Sequence, residues 1–174
     1  FICLGLALFT TKYLIKADLA FLYYTILILS VSYSHVVEYL PGFKAPYVAS
    51  TITIPVLIVA RNFPSDSNRL SLVAAAVFFF VLGREMCMDF LDRTGDAFSF
   101  MHKIAPSPLA IISFSVQLVA CIILLLLVEN TFDLLALLLI VVLFVLSGIH
   151  WLKKPRTSII LMKLELFIGL YFLI

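Results

Sequence analysis

The feature that most constrains this chain of 174 residues is a series of seven apolar segments separated by short polar breaks. The segments cover residues 1–14, 19–34, 45–60, 70–87, 109–128, 132–151 and 158–174. Hydrophobic residues make up 64% of the sequence and charged residues 13%, whereas soluble globular proteins average about 45–50% and 25%. Strand-type alternation is absent. The sequence therefore predicts an all-α, polytopic transmembrane helix bundle of about seven helices, forming one domain over residues 1–174.

The breaks between the segments indicate where the chain turns. Pro41-Gly42 and Pro64-Ser65 are strong turn signals. The break at Glu129-Asn130-Thr131 is so short that the flanking segments are predicted to form an antiparallel helical hairpin. Pro55 lies inside the third apolar segment and could interrupt its helix. Interrupted transmembrane helices are a feature of some transporters.

The distribution of basic residues predicts the orientation in the membrane. One side carries seven basic residues, namely Lys44, Arg84, Arg93, Lys103, Lys153, Lys154 and Arg156. The other side carries four, namely Lys12, Lys16, Arg61 and Arg69. Because basic residues accumulate on the cytoplasmic side, the first group is predicted to face the cytoplasm.

A run of charged residues, 83–96, directly follows the almost purely apolar stretch 70–82 of the fourth segment. Its acids Glu85, Asp89, Asp92 and Asp96 are spaced i, i+4, i+7 and i+11, which on a helix places them within an arc of roughly 60°. Like charges on one face repel, so a cation is expected opposite them, and Mg²⁺ prefers carboxylate and phosphate oxygens. The plainer alternative is a solvated helix end at the membrane interface.

The same run resembles the second aspartate-rich motif of the UbiA-type membrane prenyltransferases. That motif typically reads Arg-Glu-Ile-x-Lys-Asp-x-x-Asp-x-x-Gly-Asp, and six positions match: Arg84, Glu85, Asp89, Asp92, Gly95 and Asp96. Met88 stands where the family usually has Lys. The stretch from Tyr39 to Lys44 resembles the family's Tyr-x-x-x-Lys loop, although its spacing is one residue longer.

The resemblance implies a Mg²⁺-dependent transfer of a polyprenyl group from an isoprenyl diphosphate to an aromatic or lipid acceptor in the membrane. It implies that Asp89, Asp92 and Asp96 are the catalytic carboxylates and the metal ligands. It also implies diphosphate contacts from four residues, Arg84, Lys44, Tyr39 and Lys103. Membrane lipids are expected partners, and the net charge of +2 is too small to indicate nucleic acid.

The family has nine transmembrane helices, with a first Asn/Asp-rich motif on the second helix and the second motif on the sixth. The present segments resemble helices three to nine, because the acidic run ends the fourth of seven. No Asn-Asp-x-x-Asp-x-x-x-Asp sequence precedes residue 83. The expectation is therefore an N-terminally truncated sequence, inactive by itself but derived from an active enzyme.

Other functions stay open at this stage. A membrane terpene cyclase would use the same Mg²⁺ and diphosphate without an acceptor, and a catalytically inactive or transport-type protein would use neither. Lys163 and Glu165 lie inside an apolar segment, where charges are costly and often functional, but their spacing places them on different sides of a helix. Phe78, Phe79 and Phe80 are predicted to pack or face lipid, with a wall for the prenyl chain as the alternative.

Overall fold

The computed structural model describes residues 24–25, 27–33, 43–62, 67–91, 106–151, 153–169 and 172. Within these ranges the chain forms six helices and no strand. They are α1 (residues 27–33), α2 (Lys44–Asn62), α3 (Ser67–Leu91), α4 (Pro106–Leu125), α5 (Thr131–Trp151) and α6 (Pro155–Gly169).

The predicted all-α bundle is confirmed for the part of the chain that is described. Helices α2 to α6 coincide with the third to seventh apolar segments, each to within a few residues. The predicted segment 1–14 lies outside the described residues, so the expected number of about seven helices and their correspondence to helices three to nine stay predictions. Helix α3 continues past its apolar stretch to Leu91, which makes Arg84, Glu85 and Asp89 helical.

Three helices are long and apolar enough to cross a membrane: Ser67–Leu91, Pro108–Leu125 and Thr131–Trp151. Many large apolar side chains on α4 and α5 are exposed, among them Ile111, Leu125 and Val142. Such a surface would be unfavourable in water but suits contact with lipid acyl chains. The helical and apolar character together identify a membrane protein.

Helix α3 lies at the centre of the bundle. Its residues Val73, Val77 and Phe80 are buried in the main core together with Ala49 of α2 and Leu124 of α4. Phe78 and Phe79 pack against the same core and stack edge to face at 5.5 Å, so the predicted packing role of the three phenylalanines is confirmed. Because α3 is packed on several sides, its C-terminal end has a fixed position.

The predicted hairpin between α4 and α5 is also present. The side-chain oxygen of Asn130 accepts a hydrogen bond from the backbone N–H of Asp133 at 2.9 Å. The Asp133 carboxylate in turn accepts from the backbone N–H groups of Glu129 at 3.0 Å and Asn130 at 3.3 Å. This reciprocal capping satisfies the backbone donors at the start of α5 and fixes the tight connection that the sequence predicted.

Pro55 does not break its helix, since α2 runs continuously from Lys44 to Asn62. Three polar side chains of α2 donate hydrogen bonds to carbonyls four residues earlier, namely Ser50 to Pro46, Thr51 to Tyr47 and Thr53 to Ala49. These bonds satisfy the hydroxyl groups within the helix, as an apolar environment requires. The proline therefore gives no support to a transporter built on broken helices.

Candidate functional site

Five helix ends meet around the last two turns of α3. At this end of the bundle α2, α4 and α6 begin and α3 and α5 end. Ala45 of α2 and Leu109 of α4 pack with Met86 on one side of α3. Cys87 of α3 packs with Trp151, Ile159 and Met162 on the other side, where the Phe90 and Trp151 rings lie 5.7 Å apart. The predicted acidic site begins at this junction.

An ion pair joins two residues that the sequence analysis assigned to one site. The Lys44 ammonium at the first residue of α2 lies 2.9 Å from the Asp89 carboxylate in the last turn of α3. The side chains are 16% and 2% exposed, so the pair is largely removed from solvent. The contact brings the end of the Tyr39–Lys44 stretch and the acidic run together.

The two charges are placed unfavourably for their own helices. A lysine at a helix N-terminus and an aspartate at a helix C-terminus both oppose the helix dipole. Each charge is compensated across the α2–α3 interface by the other, at hydrogen-bonding distance. Helix stability alone would therefore not favour this arrangement, whereas a site that requires defined charges at this position would.

Arg84 and Glu85, one turn before Asp89, pair with each other. The Arg84 Nε atom donates to Glu85 Oε1 at 3.0 Å, and Nη2 contacts the same oxygen. Both side chains are mostly buried, at 17% and 12% exposure. Arg84 is thus placed close to the predicted site, with its guanidinium directed at a neighbouring carboxylate.

The remaining site residues of the sequence analysis lie outside the described part of the chain: Tyr39, Asp92, Asp96 and Lys103. The described ranges contain no group of three or more His, Cys, Asp or Glu side chains that could hold a metal ion. The assignment of Asp89, Asp92 and Asp96 as Mg²⁺ ligands stays a prediction. The described basic residues at this end of the bundle are those predicted to share a membrane side, namely Lys44, Arg84, Lys153, Lys154 and Arg156.

Gly83 is a residue whose importance the sequence analysis missed. The Ser113 hydroxyl of α4 donates to the Gly83 carbonyl at 2.7 Å and also lies 2.9 Å from the Cys87 sulfur. A Cβ atom on Gly83 would lie 2.6 Å from Gln117 Cγ and 2.8 Å from the backbone oxygen of Ser113. Only glycine permits α3 and α4 to approach this closely, as small residues do at membrane helix interfaces. Gly83 directly precedes Arg84, so this contact positions the site.

Tyr47 is a second residue that no motif in the sequence singled out. It lies one turn after Lys44, and its hydroxyl donates to the Leu29 carbonyl and lies 2.9 Å from the Ser32 hydroxyl. Its ring also packs against Tyr33 at 5.8 Å. These contacts join α1 to the beginning of α2 and so hold Lys44 in place from the other side.

The charges inside α6 point in different directions, as their spacing predicted. Lys163 is exposed on the outer surface of the bundle, whereas Glu165 is fully buried. Neither carboxyl oxygen of Glu165 has a hydrogen-bond partner among the described residues. Because a buried polar group without partners is costly, Glu165 is a candidate for a role that the acidic site does not explain.

Comparisons of the chain with protein-family models, with curated proteins and with solved structures find no match.

Proposed function

We propose that this chain belongs to a UbiA-type membrane prenyltransferase, in which it forms helices three to nine of a single transmembrane domain. The proposed reaction is the Mg²⁺-dependent transfer of a polyprenyl group from an isoprenyl diphosphate to an aromatic or lipid acceptor. The observation that carries the proposal is the match of six positions in the run 83–96 to the second aspartate-rich motif. The ion pair between Lys44 and Asp89 supports it, because this contact joins the two stretches that carry the resemblance.

The chemistry follows from the charge of the leaving group. Bound Mg²⁺ would neutralise the departing diphosphate and so lower the barrier to ionisation of the allylic substrate. The carboxylates of Asp92 and Asp96 are the oxygen ligands that Mg²⁺ prefers. Asp89 is already paired with Lys44, so it serves best to hold the Lys44 ammonium beside the metal ligands.

The basic residues supply the contacts to phosphate oxygens. Lys44 begins α2, so its ammonium and the positive end of the helix dipole act at the same place. Arg84 reaches an anion by exchanging its contact with Glu85, and its planar guanidinium can bind two phosphate oxygens at once. Tyr39 and Lys103 complete the proposed diphosphate site, which on the positive-inside bias faces the cytoplasm.

Product analysis tests the proposal and separates its alternatives. Membranes containing the protein expressed from its complete reading frame are supplied with a labelled isoprenyl diphosphate and Mg²⁺. We expect the label in a prenylated acceptor, with no product when the metal is chelated. Label in a cyclised hydrocarbon would instead indicate a membrane terpene cyclase. An unchanged diphosphate, in membranes that contain folded protein and a range of aromatic and lipid acceptors, would contradict both enzymatic functions.

A further inference from the structure

A cavity with a positively charged rim lies beside the end of α3, and Lys44 is not among its lining residues. It is an open cleft of about 730 Å³ between the last turn of α3 and the first three turns of α6. Its apolar wall includes Met88, Leu91 and Ile159. Its basic side chains are Lys154, Arg156 and Lys163. The cavity therefore combines an apolar interior with three cations.

The three cations have no compensating partner in the part of the chain that the structure describes. Within the described residues, none of them forms an ion pair or a side-chain hydrogen bond. Lys44 and Arg84, which lie at the same end of the bundle, each form an ion pair. The N-terminus of α6 adds partial positive charge at the same place, because Pro155 and Arg156 are its first two residues. Three positive charges close together repel, so an anion in the cavity would lower their free energy.

Lys163 lies further along α6 than the other two cations. It lies about 12 Å along the axis of α6 from the helix start, within an apolar stretch. Helical side chains lean towards the N-terminus, so the Lys163 ammonium extends back to the cavity. A charge at this depth is favourable only if it reaches water or a bound anion.

The surface next to the cavity suits an acyl chain. Ile160 lines the cavity and is exposed, and Leu164 and Phe167 continue the same exposed strip of α6 at spacings of four and seven residues. An occupant with an anionic head and an apolar tail would place its head among the three cations and its tail along this strip. A free inorganic anion would contact only the three cations and would leave the apolar strip of α6 uncovered.

We propose that this cavity binds the phosphate headgroup of an anionic phospholipid. Lys154, Arg156 and Lys163 contact the phosphate, and Ile160, Leu164 and Phe167 contact an acyl chain. Basic pockets between transmembrane helices near the cytoplasmic face are suited to anionic headgroups. The residues that line the cavity are not among those of the proposed diphosphate site, and the inference does not depend on the proposed function.

Lipid binding to the purified full-length protein tests this inference. The protein is exchanged into detergent and titrated with phosphatidylglycerol, phosphatidylcholine or inorganic diphosphate, and bound ligand is counted by native mass spectrometry. We expect the wild-type protein to retain phosphatidylglycerol in preference to phosphatidylcholine. The triple variant Lys154→Gln, Arg156→Gln and Lys163→Gln should bind phosphatidylglycerol at least about tenfold more weakly, since each basic residue contributes to headgroup affinity.

Lys153→Gln is the matched control, because Lys153 is exposed at the same helix end but does not line the cavity. It should keep the wild-type affinity and preference. All three cations of the cavity are exposed, so their replacement should leave the fold intact. The single variant Lys163→Gln provides a second measurement of lipid affinity with the smallest change to the protein. Equal losses in the control and the triple variant would overturn the proposal. Absence of a lipid preference in the wild-type protein would also overturn it, as would binding of inorganic diphosphate that weakens in the triple variant as much as the binding of phosphatidylglycerol does.

Discussion

Replacing Gly83 by alanine should destabilise the protein by about 2–3 kcal/mol, and replacement by valine should cost more. The added Cβ atom would lie 2.8 Å from the backbone oxygen of Ser113, which no side-chain rotation can relieve. Helices α3 and α4 would have to separate, and the hydrogen bond from Ser113 to the Gly83 carbonyl would lengthen. The thermal unfolding midpoint in detergent measures the effect. Activity should fall as well, because Arg84 is displaced with its neighbour.

Gly148→Ala provides the matched control for this prediction. Gly148 also lies inside an apolar helix, but the nearest atom to its added Cβ would be at 3.9 Å, an ordinary contact distance. Because alanine favours a helix over glycine by up to about 1 kcal/mol, this variant should be neutral or slightly more stable. If Gly83→Ala proved as stable as Gly148→Ala, the close contact between α3 and α4 would be wrong.

Replacing Lys44 by methionine should destabilise the protein by about 3–5 kcal/mol, because the buried Asp89 carboxylate would lose the ammonium group that lies 2.9 Å from it. Asp89→Asn should cost less, since the amide keeps a hydrogen-bond acceptor for Lys44 and carries no charge to bury. The double variant should be more stable than the sum of the single effects predicts, by an interaction free energy of about 1–3 kcal/mol. The free energies of unfolding of the wild type, the two single variants and the double variant together give this interaction free energy.

The control for the ion pair is Lys153→Met, which removes an exposed lysine at the same end of the bundle. It should change the stability by less than about 0.5 kcal/mol. Additive effects of Lys44→Met and Asp89→Asn would show that the two residues do not interact. That result would remove the structural support for a single site formed by the Tyr39–Lys44 stretch and the acidic run.

The sequence was sufficient to predict the helices because apolar length and turn signals are local properties. The hairpin at Glu129-Asn130-Thr131 was predicted from three residues and is held by a capping interaction within the same few residues. Helix α3 extends beyond the predicted segment because its charged residues continue the helix at the interface, and apolar length alone does not define where a helix ends.

Contacts between helices could not be predicted in the same way. The resemblance to a known motif placed Lys44 and Asp89 in one site, but their direct pairing depends on how α2 and α3 pack. Gly83 lies next to a recognised motif and yet its role depends on Ser113 and Gln117, which have no distinctive pattern in the sequence. The cavity between α3 and α6 likewise combines residues from separate helices, although its basic residues were visible as an orientation signal.

The most direct test of the proposed metal site is the binding of an unreactive isoprenyl thiolodiphosphate to the purified protein, with and without Mg²⁺. The protein expressed from its complete reading frame should bind the analogue tightly only with Mg²⁺. Asp92→Ala and Asp96→Ala should each weaken that binding about 100-fold or more, whereas Glu129→Ala, at the α4–α5 turn, should not change it. Mg²⁺-dependent binding that is unchanged in both aspartate variants would contradict the proposed function.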